Sequence, residues 1–445
     1  MISSVYKKLK QKYGGKRVLV IGLGLLGGGL GISQFFSKLG AYVTITDKKT
    51  EKQLLSSIRK LKNFKNVNFH FGGHHLDDFI KADIIFKGPS VPWDLPEIIA
   101  AQKKGVPIEM EMAFVANYFP GKIIGITGTR GKSTTTSMIY SLLKEFKDEV
   151  FLGGGLPGIS TVEYLKTASE NSWLVAELSS WSLSGFHQSK ISPHIAVFTS
   201  FYPDHLNYYK NLDEYFYDKA AIFLYQKKND YLIANHDLKS LIERYKVFSK
   251  IDYYTKKDFP GKLKYLTGDH NLENASAALK VVDILKLDRK KAVKIIENFS
   301  GLPFRLQTIK EKNGVTFIND TTSTTPIATI KAIDVFLRKK IVLILGGNSK
   351  NLPYDDLIKK LSKVEKIVLL EGSFTKEILP ILKDKYRKKL IGPFDNLKGA
   401  VEKAYQIALD LNGSVVLFSP GATSFSMFNN EFHRGEEFNK VVYQL

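Results

Sequence analysis

The stretch "GITGTRGKSTTT", residues 125–136, decides the fold. It follows the apolar run "KIIGIT" and opens the helical pattern "KSTTTSMIYSLLKEF", so it predicts a strand, a glycine-rich turn and a helix. Gly131, Lys132 and Ser133 match the end of the triphosphate-binding pattern G-x-x-x-x-G-K-[ST]. The first glycine of that pattern is missing, and Gly128 stands only three residues before Gly131. Because a purely structural turn would not need Lys and Ser at the helix start, the stretch predicts a phosphate-binding loop of a shortened type.

Length and composition favour a multidomain cytosolic enzyme. A chain of 445 residues is expected to form two or three domains, and its 44% hydrophobic residues can fill sizeable cores. No stretch of about 18 uninterrupted apolar residues occurs, so no membrane span is expected. The run "VLVIGLGLLGGGLGI", residues 18–32, lacks the cleavage site of a signal peptide. The absence of cysteine excludes disulfides and thiolate chemistry, which fits a cytosolic location.

The chain is strongly basic, with a net charge of +21 from 65 Lys and Arg residues against 44 Asp and Glu residues. Such a balance is one sign of nucleic-acid binding. The basic residues are spread along the whole chain, however, and lysines mostly flank predicted helices, as in "KKLKQKYGGKR". A solvated lysine-rich surface is the first explanation, and attraction of a polyanionic small substrate is the next. We therefore expect no nucleic-acid partner.

Apolar, β-branched runs alternate with helix-period segments along the chain, which predicts α/β domains with parallel sheets covered on both faces. The predicted strands form three groups: "KRVLVIGLG", "AYVTITD" and "ADIIFKG"; "KIIGITG", "WLVAEL" and "HIAVFTS"; and "VTFIND", "KIVLILGG", "KIVLLEG" and "SVVLFSP". The breaks between the groups fall near residues 96–120 and near residue 300. We therefore expect three domains, listed in chain order as residues 1–97, 98–300 and 301–445.

A second glycine-rich turn follows the first predicted strand, "RVLVI". Gly22, Gly24 and Gly27 are spaced as in the dinucleotide-binding fingerprint, and Asp47 follows 20 residues beyond Gly27 at the end of the next strand. Taken alone, this fingerprint favours an NAD(P)-dependent oxidoreductase. The same cradle suits any diphosphate-bearing nucleotide beside a helix N-terminus, including a UDP-linked substrate. A turn that only packs a helix on a strand is the third interpretation.

Several polar residues stand where ligands bind in parallel sheets, at the carboxyl ends of predicted strands. Glu177 ends "WLVAE", His205 follows "VFTSFYPD", and Lys219 lies in the helical pattern "LDEYFYDKAAIF". Lys132 has the length to reach β- and γ-phosphates, and the Ser133 hydroxyl can ligate Mg²⁺. A carboxylate beside Ser133 would complete a magnesium site of oxygen ligands.

Further polar residues lie in the second half of the chain. In "GDHNLENASAALKVV", Asn271 and Asn274 are three apart at a predicted helix start and share a face, where they either contact a nucleotide or cap the helix. Four more stand in turns rich in Gly, Pro and Ser: Arg305 in "GLPFRL", Asp320 in "FINDTTSTTP", Lys350 in "LGGNSKN" and Ser424 in "FSPGATSFSMF".

Together these residues resemble the Mur ligase family, the ATP-dependent enzymes that add amino acids in peptidoglycan synthesis. The family's shortened loop T-G-T-x-G-K-[ST] stands here as "TGTRGKS", and its HNxxN pattern stands as "HNLEN". "ELSS", "PDHL", "LPFR" and "NDTTSTT" complete the series, so the resemblance spans essentially the whole chain. It implies a Rossmann-like N-terminal domain, a central P-loop-type ATPase domain with a mainly parallel sheet, and a Rossmann-like C-terminal domain.

The Gly-x-Gly-x-x-Gly start resembles the branch of the family that adds glutamate to UDP-N-acetylmuramoyl-L-alanine through an acyl phosphate. The resemblance implies ATP and two Mg²⁺ ions as cofactors, and a cytoplasmic monomer with no nucleic-acid or membrane partner. The residues implied to hold the UDP-linked substrate are Gly22, Gly24, Leu25, Leu26, Gly27, Asp47, Lys48 and Ser90. Those implied to hold ATP are Gly128, Thr129, Arg130, Gly131, Lys132, Ser133, Thr134, Asn271, Asn274, Arg305 and Asp320.

The same resemblance implies a metal site and a glutamate pocket. The implied metal ligands are Ser133, Glu177, His205 and a carbamylated Lys219, of which the last three are catalytic together with Lys132. The implied glutamate ligands are Thr324, Lys350, Ser424 and Phe425.

Four positions depart from the family pattern. Thr322 replaces an expected Lys, and Glu431 stands where a Phe usually lines the glutamate pocket. Ser90 replaces a Gly near the pyrophosphate, and "GGGLPG" replaces a segment with a substrate-contacting Asn. The first two leave the handedness of the glutamate open, with D expected and a variant ligase that adds L-glutamate as the alternative.

Two functions of other classes stay as alternatives. An NAD(P)-dependent oxidoreductase would leave the loop at residues 125–136 unexplained. A nucleotide-sensing or nucleic-acid-binding protein would explain the charge alone. ATP-dependent phosphate release, measured with and without the UDP-linked substrate, distinguishes these alternatives from a ligase.

Overall fold

A computed structural model describes residues 2–23, 28–155, 160–205, 208–266, 268–349, 352–424, 427–428 and 430–445. The chain forms two compact units, Met1–Leu263 with Thr267–Asn298, and Lys264–Leu266 with Phe299–Leu445. The first unit contains two of the three sheets and the second unit contains the third. Over the described ranges, none of the helices has the length and apolar character that crossing a membrane requires.

The first sheet has five parallel strands in the order β3-β2-β1-β4-β5. Its middle strands are apolar runs buried on both faces, as expected when helices cover both sides of a parallel sheet. The strands are β1 (Arg17–Ile21), β2 (Tyr42–Asp47), β3 (Val67–Phe71), β4 (Ile84–Lys87) and β5 (Ile108–Glu109). The helices of this part are α1 (Ser4–Tyr13), α2 (Gly28–Lys38), α3 (Glu51–Ile58), α4 (Leu76–Ile80), α5 (Pro96–Lys103) and α6 (Glu111–Tyr118).

The second sheet has six parallel strands in the order β11-β10-β9-β6-β8-β7. Its strands are β6 (Lys122–Thr127), β7 (Val150–Gly154), β8 (Trp173–Glu177), β9 (Ile195–Phe198), β10 (Tyr231–Asn235) and β11 (Lys250–Tyr254). Its α-helices are α7 (Lys132–Lys144), α8 (Ser180–Ser189), α9 (Leu212–Leu224), α10 (Lys239–Ile242), α11 (Asp269–Ile284) and α12 (Arg289–Glu297). Short 3₁₀ helices cover Thr161–Lys166, His236–Leu238 and Lys256–Asp258.

The third sheet, in the second unit, has the order β12-β13-β17-β14-β15-β16. Only β12 runs antiparallel to its neighbour. The strands are β12 (Gln307–Lys312), β13 (Val315–Asn319), β14 (Lys340–Gly346), β15 (Lys366–Leu370), β16 (Leu390–Phe394) and β17 (Ser414–Phe418). The α-helices are α13 (Pro326–Val335), α14 (Asp355–Lys360), α15 (Ser373–Tyr386), α16 (Leu397–Leu409) and α17 (Glu431–Gln444), with 3₁₀ helices at Leu361–Lys363 and Arg387–Lys389.

The structure confirms the predicted α/β fold class with mainly parallel sheets, since the predicted strands correspond to β1, β2, β4, β6, β8, β9, β13, β14, β15 and β17. Sequence reasoning missed β10 and the two outer strands of each sheet. An outer strand has one neighbour and needs no continuous apolar run, as "QTIKEK" in β12 illustrates. The strand β5, Ile108–Glu109, belongs to the first sheet although it lies beyond residue 97. The domain boundaries at residues 97 and 300 stay predictions.

Candidate active site

The shortened loop joins the buried strand β6 to helix α7, as predicted. Gly128 has a φ of 150° and Gly131 a φ of 83°, values that side-chain-bearing residues rarely adopt. A Cβ on Gly128 would lie 2.0 Å from Thr199 Oγ1, so the close approach of the loop to the end of β9 also requires glycine. The loop therefore has its shape because of these two glycines.

Two hydroxyl residues after β9 fix the other side of the loop. The N–H groups of Thr129 and Arg130 donate to the carbonyl and Oγ of Ser200 at 2.8 and 2.9 Å. Thr199 Oγ1 donates to the carbonyl of Arg130 at 2.5 Å. Since these N–H groups already have protein partners, the N-terminus of α7 is the part of the loop best suited to a phosphate. Sequence reasoning missed Thr199 and Ser200, although both end the predicted strand "HIAVFTS".

Lys132 and Lys219 converge on one backbone oxygen. Both Nζ atoms donate to the carbonyl of Gly128 at 2.9 Å, and Lys132 also donates to the carbonyl of Thr129 at 3.2 Å. Lys219 is 1% exposed. Burial, followed by the charge of Lys132, lowers the pKa of Lys219 to about 7. Part of this amine is therefore neutral at neutral pH, the form that reacts with carbon dioxide.

Acidic residues surround this pair of lysines. The charges of Asp204 and Glu177 act to raise the pKa of Lys219 against the effect of burial. Glu177 ends β8, and its buried Oε2 has no hydrogen-bond partner among the described residues. Asp218, the neighbour of Lys219, is buried and accepts a hydrogen bond from Tyr209 at 2.9 Å, and burial raises its pKa to about 6.

His205 lies in the segment that follows β9. Its φ is 55°, and its ring packs against Trp181 and Tyr215 at centroid distances of 4.9 and 5.8 Å. Its Nε2 lies 3.9 Å from Asp204 Oδ2. No group of three His, Asp or Glu side chains with metal-binding geometry occurs in the part of the chain that the structure describes.

Helix α11 brings the two predicted asparagines onto the loop. Asn274 Oδ1 accepts a hydrogen bond from Thr135 Oγ1 at 3.1 Å and lies 2.6 Å from where a Cβ on Gly131 would stand. Asn274 Nδ2 donates to Asn271 Oδ1 at 3.2 Å, so the two residues share a helix face as predicted. Ser133 and Thr134 are half-buried at the start of α7. The described residues thus bring Lys219, Asn271 and Asn274 together with the loop.

The predicted diphosphate turn lies at the end of β1. Gly22 has a φ of 86°, and a Cβ on Gly29 would lie 2.1 Å from the carbonyl of Gly22, so α2 starts close against the turn. Asp47 accepts hydrogen bonds from the N–H groups of Leu23 at 3.1 Å and Lys49 at 2.9 Å, one at each oxygen, and so holds the turn itself. The predicted residues Gly24, Leu25, Leu26 and Gly27 lie outside the described residues, and Lys48 and Ser90 are exposed.

A buried lysine follows at the end of β4. Lys87 is 3% exposed, donates to the carbonyl of Val91 at 2.8 Å and lies 4.4 Å above the ring of Trp93. Trp93 in turn donates to Ser184 Oγ of α8 at 2.9 Å. Burial lowers the pKa of Lys87 to about 8, whereas the charge of Asp218 raises it. This network, which sequence reasoning missed, holds the turn that carries Ser90 against the central domain.

Glu111 is a half-buried carboxyl group at the junction of the first two sheets. It accepts hydrogen bonds from the N–H of Val162 at 3.2 Å and from Ser160 Oγ at 3.3 Å. Its Oε2 lies 3.6 Å from where a Cβ on Gly28, the first residue of α2, would stand. Burial raises the pKa of Glu111 to about 7. A carboxyl group therefore lies close to the N-terminus of α2, the helix that begins after the diphosphate turn.

The second unit carries Asp320 and Thr324 after β13, and Ser424 after β17. Asp320 is 2% exposed and accepts hydrogen bonds from Ser323 Oγ, from Ser419 Oγ at 2.7 Å and from the N–H of Leu306 at 3.1 Å. Burial raises the pKa of Asp320 to about 6, while these hydrogen bonds and the charge of Arg305 oppose the shift. These contacts fix the turn that leads to Thr324.

Two of the residues predicted to bind the substrate glutamate, Thr324 and Ser424, lie at this edge of the sheet. Ser424 is 4% exposed, and its Oγ has no hydrogen-bond partner among the described residues. Thr322, which replaces the expected lysine, donates through its hydroxyl to the carbonyl of Phe304 at 2.9 Å. Lys350 and Phe425 lie outside the described residues.

Three family models match the chain in series. They are described as the Mur ligase MurD-like N-terminal domain at residues 16–109, the Mur ligase middle domain at residues 126–265, and the Mur ligase glutamate ligase domain at residues 304–421. Each matched range includes all or most of the strands of one of the three sheets.

Similar proteins cover nearly the whole chain. The UDP-N-acetylmuramoylalanine--D-glutamate ligase of Roseiflexus sp. (strain RS-1) is 34% identical over 96% of this chain and 98% of the relative. The enzyme of the same name from Borreliella afzelii (strain PKo) is 34% identical over 96% of this chain and 97% of the relative. The crystal structure of the MurF ligase of Thermotoga maritima in complex with ADP has the same fold, with a TM-score of 0.52 and 19% identity over 98% of this chain and 97% of that chain. Because relatives named as ligases of this family are 34% identical over 96% of the chain, and three Mur ligase models match it in series, the chain belongs to the Mur ligase family.

Proposed function

We propose that this protein is the ATP-dependent ligase that joins D-glutamate to UDP-N-acetylmuramoyl-L-alanine in the synthesis of peptidoglycan precursors. The observation that carries the proposal is the convergence of Lys132 and Lys219 on the carbonyl of Gly128, within a loop of the form "TGTRGKS". The relatives that are 34% identical to this chain bear the name of that ligase, and their name supports the proposal that this protein uses the same substrates.

The reaction needs an activated carboxyl group, because a carboxylate is a poor electrophile at neutral pH. In the proposed sequence the alanyl carboxylate oxygen attacks the γ-phosphorus of ATP, and ADP leaves. The amine of glutamate then attacks the carbonyl carbon of the acyl phosphate, inorganic phosphate leaves, and the nitrogen loses a proton as the amide forms. The N-terminus of α7 and the ammonium of Lys132 stabilise the negative charge on the transferring phosphoryl group.

Magnesium fits the residues around the loop. The buried Glu177 Oε2 without a partner is an oxygen ligand of the kind that Mg²⁺ prefers, and the Ser133 hydroxyl stands at the start of α7. A carbamate on Lys219 would convert a buried amine into an anionic ligand, with His205 as a further one. When bound, two Mg²⁺ ions would neutralise charge on the phosphates. The role of the chain itself is to hold these ligands and to keep Lys219 from water.

The other substrates have separate sites in this proposal. The turn at Gly22, fixed by Asp47, receives the diphosphate of the UDP-linked substrate, with Lys48 and Ser90 beside it. Asn271 and Asn274 serve ATP. Thr324 and Ser424, with Lys350 and Phe425, bind glutamate, and the partnerless Ser424 Oγ supports that role. We propose a cytoplasmic monomer that has no nucleic-acid or membrane partner.

The test offers the purified full-length protein ATP, Mg²⁺ and UDP-N-acetylmuramoyl-L-alanine, with D- and L-glutamate in separate reactions. We expect phosphate release that requires both substrates, and a product that is heavier by one glutamate residue only with the D-isomer. Turnover with L-glutamate alone would replace the proposal by the variant ligase. Turnover with alanine or lysine and with neither glutamate isomer would overturn the glutamate assignment. NADH binding in the micromolar range would instead favour the oxidoreductase alternative.

A further inference from the structure

Arg434 is among the largest fully buried side chains of the described protein. It lies in α17, within the sequence "FHRG", and is 1% exposed. Its Nε donates to Thr321 Oγ1 at 2.9 Å, its Nη2 donates to the carbonyl of Thr321 at 2.8 Å, and its Nη1 donates to the carbonyl of Ala422 at 3.1 Å. The guanidinium thus bridges the loop after β13 and the loop after β17.

The local sequence is built for this approach. A Cβ on Gly435 would lie 2.4 Å from the ring of Phe304 and 2.6 Å from Thr321 Cγ2, so only glycine after Arg434 lets α17 come this close. Asn319 Nδ2 donates to the carbonyl of Gly435 at 2.9 Å, and Thr321 Oγ1 donates to the carbonyl of Glu431 at 3.1 Å. These contacts hold the guanidinium at the carboxyl end of β13, the edge where parallel sheets bind ligands.

The charge of Arg434 has no carboxylate partner at hydrogen-bond distance within the described residues, because its three acceptors are two carbonyls and one hydroxyl. Burial lowers the pKa of Arg434 to about 10, and the charge of Glu431 opposes this shift, so the group remains cationic at neutral pH. An isolated buried cation is costly unless an anion or a hydrogen-bond network compensates for it. This cation therefore produces a positive potential at the sheet edge.

A second observation points to a ligand at the same edge. Ala422, which accepts from Arg434, stands two residues before Ser424, whose 4% exposed hydroxyl has no partner among the described residues. Thr321, the other acceptor, stands three residues before Thr324. The guanidinium therefore holds both loops that carry the described residues of the glutamate site.

We propose that Arg434 is a specificity-determining residue that selects an amino acid with an anionic side chain over its neutral isostere. The inference rests on the proposed function, because it assumes that the incoming amino acid binds beside Thr324 and Ser424. The lysine expected at position 322 is replaced by Thr322, whose hydroxyl is engaged with Phe304. Arg434, a buried cation on α17, supplies positive charge in place of the lysine that is missing at position 322. The negative charge of Glu431 weakens the effect of Arg434.

Glutamate and glutamine measure this effect, since they have nearly the same shape and differ by one charge. Two charges about 10 Å apart at an effective dielectric constant of about 20 interact strongly enough to change binding roughly tenfold. A residue that only held the two loops would weaken both amino acids to the same extent. The ratio of kcat/KM for glutamate to that for glutamine therefore separates a charge effect from a structural one.

The experiment compares the full-length protein with Arg434→Met, which removes the charge, and Arg434→Lys, which keeps it. Lys440→Met is the matched control, because Lys440 lies on the same helix but is exposed and paired with Glu437. For Arg434→Met we expect the glutamate-to-glutamine ratio to fall about tenfold through the KM for glutamate, with the KM for ATP unchanged. Arg434→Lys and Lys440→Met should keep the ratio of the unchanged protein.

Equal ratios in Arg434→Met and the unchanged protein would overturn the inference and leave the proposed function intact. An equal fall in the two Arg434 variants would also overturn it, because it would indicate a purely structural role. If Arg434→Met does not fold, Glu431→Gln decides: removing the opposing charge should raise the ratio, and an unchanged ratio would contradict the inference. Failure of the unchanged protein to ligate glutamate would overturn the proposed function, and the inference with it.

Discussion

Replacing Glu111 by glutamine should stabilise the protein at alkaline pH and leave its stability nearly unchanged at acidic pH. Glu111 is half-buried, and its acceptor oxygen keeps the hydrogen bonds from Val162 and Ser160 in the variant, since an amide oxygen accepts equally. Burial raises the pKa of this carboxyl from 4.5 to about 7. The folded state therefore resists ionisation that the unfolded chain undergoes freely.

The sign and size follow from proton linkage. Below about pH 4.5 the carboxyl is protonated in both states, and Glu111 causes no pH-dependent loss of stability. Between about pH 4.5 and 7 only the unfolded state loses its proton, so the stability of the folded protein falls as the pH rises. Above about pH 7 the loss is complete, and a shift of this size corresponds to about 3 kcal/mol.

The assay is thermal unfolding of the full-length protein and of Glu111→Gln at pH 5 and pH 8. A stabilisation of about 3 kcal/mol raises the melting temperature of a body this large by about 6 °C, so we expect this rise at pH 8 and a much smaller one at pH 5. Glu170→Gln, which changes an exposed carboxylate, is the control and should show no such difference. An equal effect of Glu111→Gln at both pH values, or a loss of stability at pH 8, would refute the reasoning.

Three substitutions test the loop. Lys132→Ala should lower the rate of phosphate release about 10²–10³-fold while UDP-substrate affinity, measured by calorimetry, changes less than about tenfold; the exposed Lys144 of the same helix gives the control variant Lys144→Ala. Lys219→Ala should be nearly inactive and recover part of its turnover when formate or acetate is added; full activity without them would exclude a role in metal binding. Gly128→Ala should abolish phosphate release and lower the melting temperature, because the added Cβ would lie 2.0 Å from Thr199 Oγ1 and force the loop to shift; wild-type rates in this variant would show that the loop does not need its glycine.

The sequence by itself determined the interior of each sheet and the position of the phosphate loop. An interior parallel strand is buried on both faces and must be an apolar run, as "KIIGIT" in β6 and "SVVLF" in β17 are, so composition along the chain reveals it. The outer strands β3, β5, β7, β11, β12 and β16 have one neighbour and partly exposed sequences, and pairing with that neighbour defines them. The loop was predictable because backbone phosphate binding requires Gly, Lys and Ser at fixed spacing.

Only the tertiary structure decided which side chains meet. Lys132 and Lys219 are 87 residues apart in sequence, and their shared acceptor on Gly128 exists because β6 and the helix after β9 pack together. Burial, which no local pattern reveals, gives Lys219 and Glu111 their shifted pKa values. Asp47 has the expected position in the fingerprint, yet its oxygens hold the turn itself. Sequence spacing specifies contacts within one turn or helix, whereas contacts between distant segments depend on sheet order and packing, and these place Arg434 between the ends of β13 and β17.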